Sequence, residues 1–308
     1  MQMPSELIPT LIQIPAMPRL TQAAAALTCE IDTINEYGDL VSVSIPAERA
    51  LTVYVDRREL VTLMTLGAQP ELLVLGYLRN QRLVASAREV DSITVDWAVG
   101  AAAVKTHSGI ANVEEKTARR VVTTGCGQGS VFGALMDDID NLVLPPDAAI
   151  TQRQLYALVN AIRLKETTYK SAGSVHACAL FQVIATDSDP RLLLFVEDVG
   201  RHNAIDTIAG WMAMNPDVSE ASGGFVFYTT GRLTSEMVIK SAQMNVPIVV
   251  SRSGITQMGH EVAQTVGLCA IGRATNKRFV AYANLQRLVL QPELAGPRPA
   301  PVARVAPG

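Results

Sequence analysis

The chain has 308 residues, of which 48% are hydrophobic, 18% charged and 5% aromatic, and 26 basic residues nearly balance 29 acidic ones. This composition excludes a disordered or fibrous chain, and the net charge of −3 argues against a general affinity for nucleic acid or an anionic membrane. No apolar run reaches the roughly 18 residues of a membrane-spanning helix and the start lacks a signal peptide's basic region, so we expect a cytoplasmic protein.

Two tails are expected to flank a strand-rich part and an α/β part. Residues 1–28 and 291–308 carry prolines without a periodic pattern, and we expect both segments to be loose. Residues 29–120 are predicted to form a strand-rich subdomain, with strands at 51–56 and 93–99 and a helix after Pro70. Residues 121–290 are predicted to form the main domain, in which Thr151 and Gln154 make a capping box at the start of a helix.

From residue 177 onward, strand-like and helical patterns alternate. This alternation is typical of an α/β sheet with largely parallel strands and right-handed crossovers. The predicted strands are 177–184, 192–196, 225–228, 248–250 and 268–271, and the predicted helices are 203–214, 234–245 and 256–266.

Four loops that follow these strands contain arginine. The loops are residues 197–203 with Arg201 and His202, 229–232 with Arg232, 251–254 with Arg252, and 272–278 with Arg273 and Arg278. The first three lead into helix N-termini, which attract anions, and arginine forms bidentate contacts with phosphate. Ligands of open α/β sheets bind at this edge, so the pattern favours a phosphorylated ligand. The alternative is that these residues merely supply turns and solvated charge.

Cys126 lies in a glycine-rich segment that reads TTGCGQGS. Backbone N–H groups of such a loop can lower the pKa of a thiol, which favours a reactive cysteine, although an inert one is the alternative. Cys178 and Cys269 lie in apolar strands and are expected to be core residues, and Cys29 is uninformative. The histidines lack the spacing of a zinc site, so we expect no metal ligands; His202 either contacts a ligand or caps a helix.

Four ordered motifs resemble those of the formate dehydrogenase accessory sulfurtransferases, the FdhD family. They are residues 197–206 (EDVGRHNAID), 173–177 (GSVHA), 230–238 (TGRLTSEMV, followed by Lys240) and 250–253 (VSRS). The resemblance spans roughly residues 48–284. It implies that the main domain has a cytidine deaminase-like three-layer α/β/α fold without the deaminase zinc, with the smaller strand-rich subdomain before it.

The resemblance also implies a function. Members of the family are usually dimeric sulfur carriers that accept sulfane sulfur from a cysteine desulfurase as a persulfide on a cysteine. Cys126 matches that cysteine in this sequence. They pass it to the molybdenum bis(molybdopterin guanine dinucleotide) cofactor, which formate dehydrogenase needs in sulfurated form. The cofactor-binding stretch of the family matches Arg273, Ala274, Thr275, Asn276, Lys277 and Arg278, to which we add Arg232, Arg201 and His202. A guanine nucleotide is expected to fit the same site.

The sequence departs from the family pattern at three positions. Gly129 stands where the family has a second cysteine, Thr207 replaces a common lysine, and Arg273 replaces an aromatic residue. One thiolate suffices to accept a sulfur atom, so a carrier with Cys126 alone remains our interpretation. The missing second cysteine leaves open a chaperone that binds the molybdenum cofactor without moving sulfur. A nucleotide deaminase fits the implied fold but lacks its zinc ligands.

Overall fold

The computed structural model describes residues 15–111, 139–165, 167–220 and 224–297. Its helices are α1 (Pro70–Asn80), α2 (Gln152–Leu164), α3 (Thr168–Ala172), α4 (Arg201–Met214), α5 (Pro216–Glu220), α6 (Ser235–Gln243) and α7 (Gln257–Thr265). Its strands are β1 (Arg19–Leu20), β2 (Thr28–Ile34), β3 (Leu40–Pro46), β4 (Arg49–Val55), β5 (Arg58–Thr65), β6 (Val90–Asp96), β7 (Ala101–Thr106), β8 (Ile150–Thr151), β9 (His176–Val183), β10 (Arg191–Asp198), β11 (Gly224–Thr229), β12 (Ile248–Ser251), β13 (Cys269–Thr275), β14 (Arg278–Ala283) and β15 (Leu288–Val289).

The N-terminal sheet has five strands in the order β1-β6-β7-β4-β5. Alternating residues of β4, among them Leu51 and Val53, face a core that the apolar side of α1 completes with Leu73 and Leu78. β1 pairs with β6 in parallel, so part of the segment up to residue 28 is a strand and the expectation of a loose tail is wrong there. β2 and β3 form a separate two-stranded hairpin.

The second sheet has six strands in the order β10-β9-β11-β12-β13-β14. Only the β11–β12 and β12–β13 pairs are parallel, and the other three are antiparallel, so the prediction of a largely parallel sheet is wrong for neighbouring strands. Because β9 runs opposite to both of its neighbours, β10, β11, β12 and β13 still point in one direction. Their carboxyl ends therefore meet at one edge.

Helices cover both faces of this sheet. Buried side chains of α4, α6 and α7, such as Ile205, Ile239 and Val262, pack on one face. Leu155 and Leu158 of α2 pack on the other, where the predicted capping box of Thr151 and Gln154 is present. The result is the expected α/β/α layering, and the predicted helices and strands after residue 177 all occur within a few residues of their expected ends.

A close crossing of α1 and α4 joins the two sheets. A Cβ atom added at Gly76 would lie 1.6 Å from the Asp206 carbonyl oxygen, and one added at Gly210 would lie 1.9 Å from the Leu72 carbonyl oxygen. Glycine at both positions is what allows the helix backbones to approach so closely.

The C-terminal segment is also anchored where it is described. The Gln291 side chain accepts a hydrogen bond from the Arg153 backbone N–H, and the Gln291 backbone N–H donates to the Gln152 side chain. The expected loose tail is therefore anchored at its first residue, Gln291. None of the helices that the structure describes is long and apolar enough to cross a membrane.

Candidate functional site

The four arginine-containing loops lie together at the carboxyl edge of the six-stranded sheet. α4, α6 and α7 follow the first three loops, as predicted. The fourth differs, since Arg273 lies within β13 at an irregularity of its pairing with β14, in the left-handed region (φ 52°). The turn comes only at Asn276, because the strand continues past Gly272 to Thr275.

A cavity of about 310 Å³, here called the edge cavity, opens on the α2 side of this edge. Tyr228, Tyr169 and Phe195 supply aromatic surface. Arg252 and Lys170 supply positive charge, and the Glu197 carboxylate also lines the cavity. Ala274, Thr275 and Asn276 of the predicted cofactor-binding stretch line it as well. Burial raises the pKa of Tyr228 to about 12, so its phenol keeps the proton that it can donate to a ligand. An aromatic, cationic cavity of this size suits a purine nucleotide.

The other residues of the predicted stretch lie on a second, more open depression of about 960 Å³. Arg273, Lys277 and Arg278 line it together with Tyr156, and Thr275 and Asn276 border both spaces. The β13–β14 turn therefore separates an aromatic cavity from a basic surface.

Arg201, His202 and Arg232 lie at the same edge but on the face covered by α4 and α6. Arg201 and His202 are buried, whereas Arg232 is exposed. Burial lowers the pKa of His176, at the start of β9, and the neighbouring Arg201, His202 and Arg232 lower it further. The structure thus brings these three predicted residues together with His176, apart from the lining of the edge cavity.

His202 begins a chain of buried polar contacts that runs between three helices. Its Nε2 atom lies 3.1 Å from Glu236 Oε2, and Glu236 Oε1 lies 3.5 Å from Lys240 Nζ. Lys240 Nζ is 2.9 Å from each carboxylate oxygen of Asp206, which also accepts a 2.6 Å hydrogen bond from Asn80 Nδ2. His202 thus contacts a carboxylate of α6.

Asp198 connects the two sheets. Its carboxylate accepts hydrogen bonds from Thr65 Oγ1 (2.5 Å) and the Leu66 N–H (3.2 Å) at the end of β5, and from the Gly200 N–H (3.0 Å) and Asn203 Nδ2 (2.9 Å) at the start of α4. Burial raises the pKa of Asp198, although these bonds oppose the shift. The neighbouring Glu197 instead accepts bonds from the first N–H groups of α3.

The described cysteines differ sharply in environment. Cys178 and Cys269 are buried in the core, as expected, and burial raises the pKa of each thiol to about 12. Cys29 is exposed on β2. Cys126 and Gly129 lie outside the described residues, as does the expected domain boundary near residue 120. Within the described ranges, no three His, Cys, Asp or Glu side chains are grouped as metal ligands would be.

Three residues that line the edge cavity escaped the sequence analysis: Tyr169, Lys170 and Tyr228. Tyr228 lies inside an apolar strand and reads as core, and α3, which carries the other two, is too short for a periodic signal. Glu236 and Lys240 carry only the i,i+4 spacing of a charge pair, which is typical of an exposed helix face, so their burial could not be predicted from the sequence.

Comparison with known proteins decides the family. The sequence model of the FdhD/NarQ family matches residues 46–289. The chain belongs to the FdhD/NarQ family. Its similar relatives include the sulfur carrier protein FdhD of Bacillus subtilis, 29% identical over 82% of this chain and 94% of that protein. The sulfur carrier protein FdhD of Listeria monocytogenes (strain EGD-e) is 26% identical over 80% of this chain and 92% of that protein.

A solved structure supports the fold. The chain superposes on a formate dehydrogenase accessory protein from Desulfotalea psychrophila with a TM-score of 0.68, covering 86% of this chain and 100% of that one at 22% sequence identity. The family's mixed α/β fold is therefore shared along nearly the whole chain.

Proposed function

We propose that the chain is a sulfur carrier required for formate dehydrogenase activity. The observation that carries this proposal is the family match over residues 46–289, together with relatives named as sulfur carriers that align along nearly their whole length. The solved structure with the same fold is that of a formate dehydrogenase accessory protein. The chain is proposed to act in the cytoplasm, as a homodimer, between a cysteine desulfurase and formate dehydrogenase.

Cys126 is the proposed sulfur-carrying residue. Its thiolate attacks the outer sulfur of the desulfurase persulfide, the donor S–S bond breaks, and the donor leaves as a thiolate without any external oxidant. The two buried cysteines are unsuited to this role, because a thiol with a pKa of about 12 stays protonated near pH 7. Cys29 is exposed but belongs to the separate hairpin of β2 and β3.

The molybdenum bis(molybdopterin guanine dinucleotide) cofactor is the proposed acceptor and bound substrate. The edge cavity offers aromatic surface at Tyr228 and hydrogen-bonding groups at Thr275 and Asn276 for a guanine base, with Arg252 for phosphate. Arg273, Lys277 and Arg278 supply further positive charge on the adjoining depression. The residues present therefore fit a guanine dinucleotide, and a free guanine nucleotide is proposed to occupy the same cavity.

Complementation of a strain that lacks this protein tests the proposal. Formate dehydrogenase activity is measured with the wild type, with Cys126→Ala and with Cys29→Ala, the matched control that removes an exposed thiol. We expect activity with the wild type and Cys29→Ala and none with Cys126→Ala, at equal protein levels. Full activity with Cys126→Ala would contradict the carrier and favour a chaperone that binds the cofactor without moving sulfur.

A further inference from the structure

The N-termini of α4 and α6 lie side by side at the carboxyl edge of the six-stranded sheet. His202, the second residue of α4, lies 3.1 Å from Glu236, the second residue of α6. Arg201, the first residue of α4, packs against Gly231, where an added Cβ would lie 2.8 Å from Arg201 Cδ. Two helix N-termini, each with free first-turn N–H groups, thus share one small region. We call Arg201, His202, Arg232 and Thr234 the α4/α6 cluster.

Neither helix is capped by a side chain. The residue before α4 is Gly200, which has none, and the Thr234 side chain makes no capping bond to α6. The three other described helices with a threonine at the N-cap, α2, α3 and α7, do have such bonds, from Thr151, Thr167 and Thr256. The unfilled capping positions leave the positive ends of both dipoles available to an anion.

Buried polar atoms of the cluster also lack partners. His202 is 7% exposed, and its Nδ1 atom has no hydrogen-bond partner among the described residues. The same holds for the buried Thr234 Oγ1 at the α6 capping position. A buried polar atom without a partner costs free energy, and such atoms mark places where a bound group completes the hydrogen bonding.

The charge of the cluster points to an anion. Arg232 is exposed at its mouth, and Arg201 and Arg232 both act on His176 as positive neighbours. Two carboxylates adjoin the cluster and both are engaged. Glu236 lies between His202 and Lys240, and Asp198 accepts hydrogen bonds from the Gly200 N–H, Asn203, Thr65 and the Leu66 N–H. An incoming oxyanion therefore meets guanidinium groups and helix N–H groups.

The cluster and the edge cavity lie on opposite faces of the sheet but at the same edge. The edge cavity is walled by α2, whereas the cluster is built from α4 and α6, and Thr230 of the cavity wall is two residues from Arg232. An extended ligand can therefore reach both by crossing the end of β11.

We propose that the α4/α6 cluster is a second, separate subsite that binds one oxyanion group of the ligand whose nucleoside part occupies the edge cavity. This inference rests on the proposed function and deepens it. The oxyanion is a phosphoryl group of the dinucleotide, a tetrahedral group with several acceptor oxygens.

The probes are inorganic phosphate and molybdate. Each is titrated against the full chain, and affinity is taken from the rise of the unfolding midpoint over matched chloride solutions. The variant is Arg232→Ala. Its control is Arg191→Ala, an exposed arginine at the opposite end of β10. Both are made in an Arg252→Ala background, which removes the arginine that the edge cavity offers to phosphate.

We expect Arg232→Ala to weaken anion binding about 10- to 100-fold in this background, the effect of losing a charge-assisted contact, and Arg191→Ala to change it less than about 2-fold. Both anions should bind, since each is a tetrahedral oxyanion like a phosphoryl group. The proposal is overturned if phosphate does not stabilise the chain beyond chloride, or if Arg191→Ala weakens binding as much as Arg232→Ala does. Sulfur loading of Cys126 requires no anion, so its failure would be seen separately.

Discussion

Replacing Lys240 by methionine should strongly destabilise the fold. Lys240 is 1% exposed, and it neutralises Asp206 at 2.9 Å and Glu236 at 3.5 Å. Burial alone would lower the pKa of Lys240, but these two carboxylates outweigh burial and raise it, so the ammonium form is retained. Lys240→Met keeps most of the side-chain volume and leaves both carboxylates buried without their cation. Breaking a buried ion pair in this way costs about 3–5 kcal/mol.

The unfolding midpoint is the measurement. For a chain of this size, 1 kcal/mol corresponds to about 2–4 °C, so the midpoint should fall by about 6–20 °C. Lys277→Met is the matched control, because Lys277 is exposed in the β13–β14 turn, and it should shift the midpoint by less than about 2 °C. Adding Asp206→Asn to Lys240→Met should recover part of the loss. A fall in the midpoint of under about 3 °C for Lys240→Met alone would correspond to about 1 kcal/mol or less, and it would refute the buried network as a stabilising element.

Two further substitutions test the packing and the thiols. Gly76→Ala places a methyl group 1.6 Å from the Asp206 carbonyl oxygen, so α1 and α4 must separate. The unfolding midpoint should therefore fall by more than about 6 °C. Gly296→Ala is the control and should leave the midpoint unchanged, because the added methyl group meets no atom within 4 Å. The pKa of Cys269 rises on folding from 9.0 to about 12, so its contribution to stability is complete below pH 9 and is lost as the pH rises from 9 to 12. Chemical denaturation of Cys269→Ala between pH 9 and 11 should therefore show a slope shallower than the wild type by up to about 1.4 kcal/mol per pH unit, and parallel slopes would contradict this.

Much of the fold could be predicted because its signals are local. The capping box at Thr151 and the apolar runs after residue 177 depend on neighbours in the sequence, and the structure confirms them. Strand pairing depends on distant partners, which is why the antiparallel β9 between β10 and β11 was missed. β1 was missed for the same reason, since two residues carry no periodicity and only β6 makes them a strand.

The site was predictable to a similar extent. Arginines after four strands indicated one edge, and the carboxyl ends of those strands do meet there. Sequence order could not tell on which face of the sheet each side chain lies, so the division between the edge cavity and the α4/α6 cluster emerged only from the structure. Nor could it show that residues within the family motifs, such as Asp198 and Lys240, connect helices and sheets.

Intact-mass spectrometry tests most directly whether this chain carries sulfur on Cys126. The wild type, Cys126→Ala and Cys29→Ala are each incubated with an active cysteine desulfurase and cysteine, and their masses are compared before and after reduction. We predict an adduct of about 32 Da, one sulfur atom, on the wild type and Cys29→Ala that reduction removes and that Cys126→Ala lacks. A wild type without the adduct, or a Cys126→Ala variant that retains it, would contradict the proposed carrier.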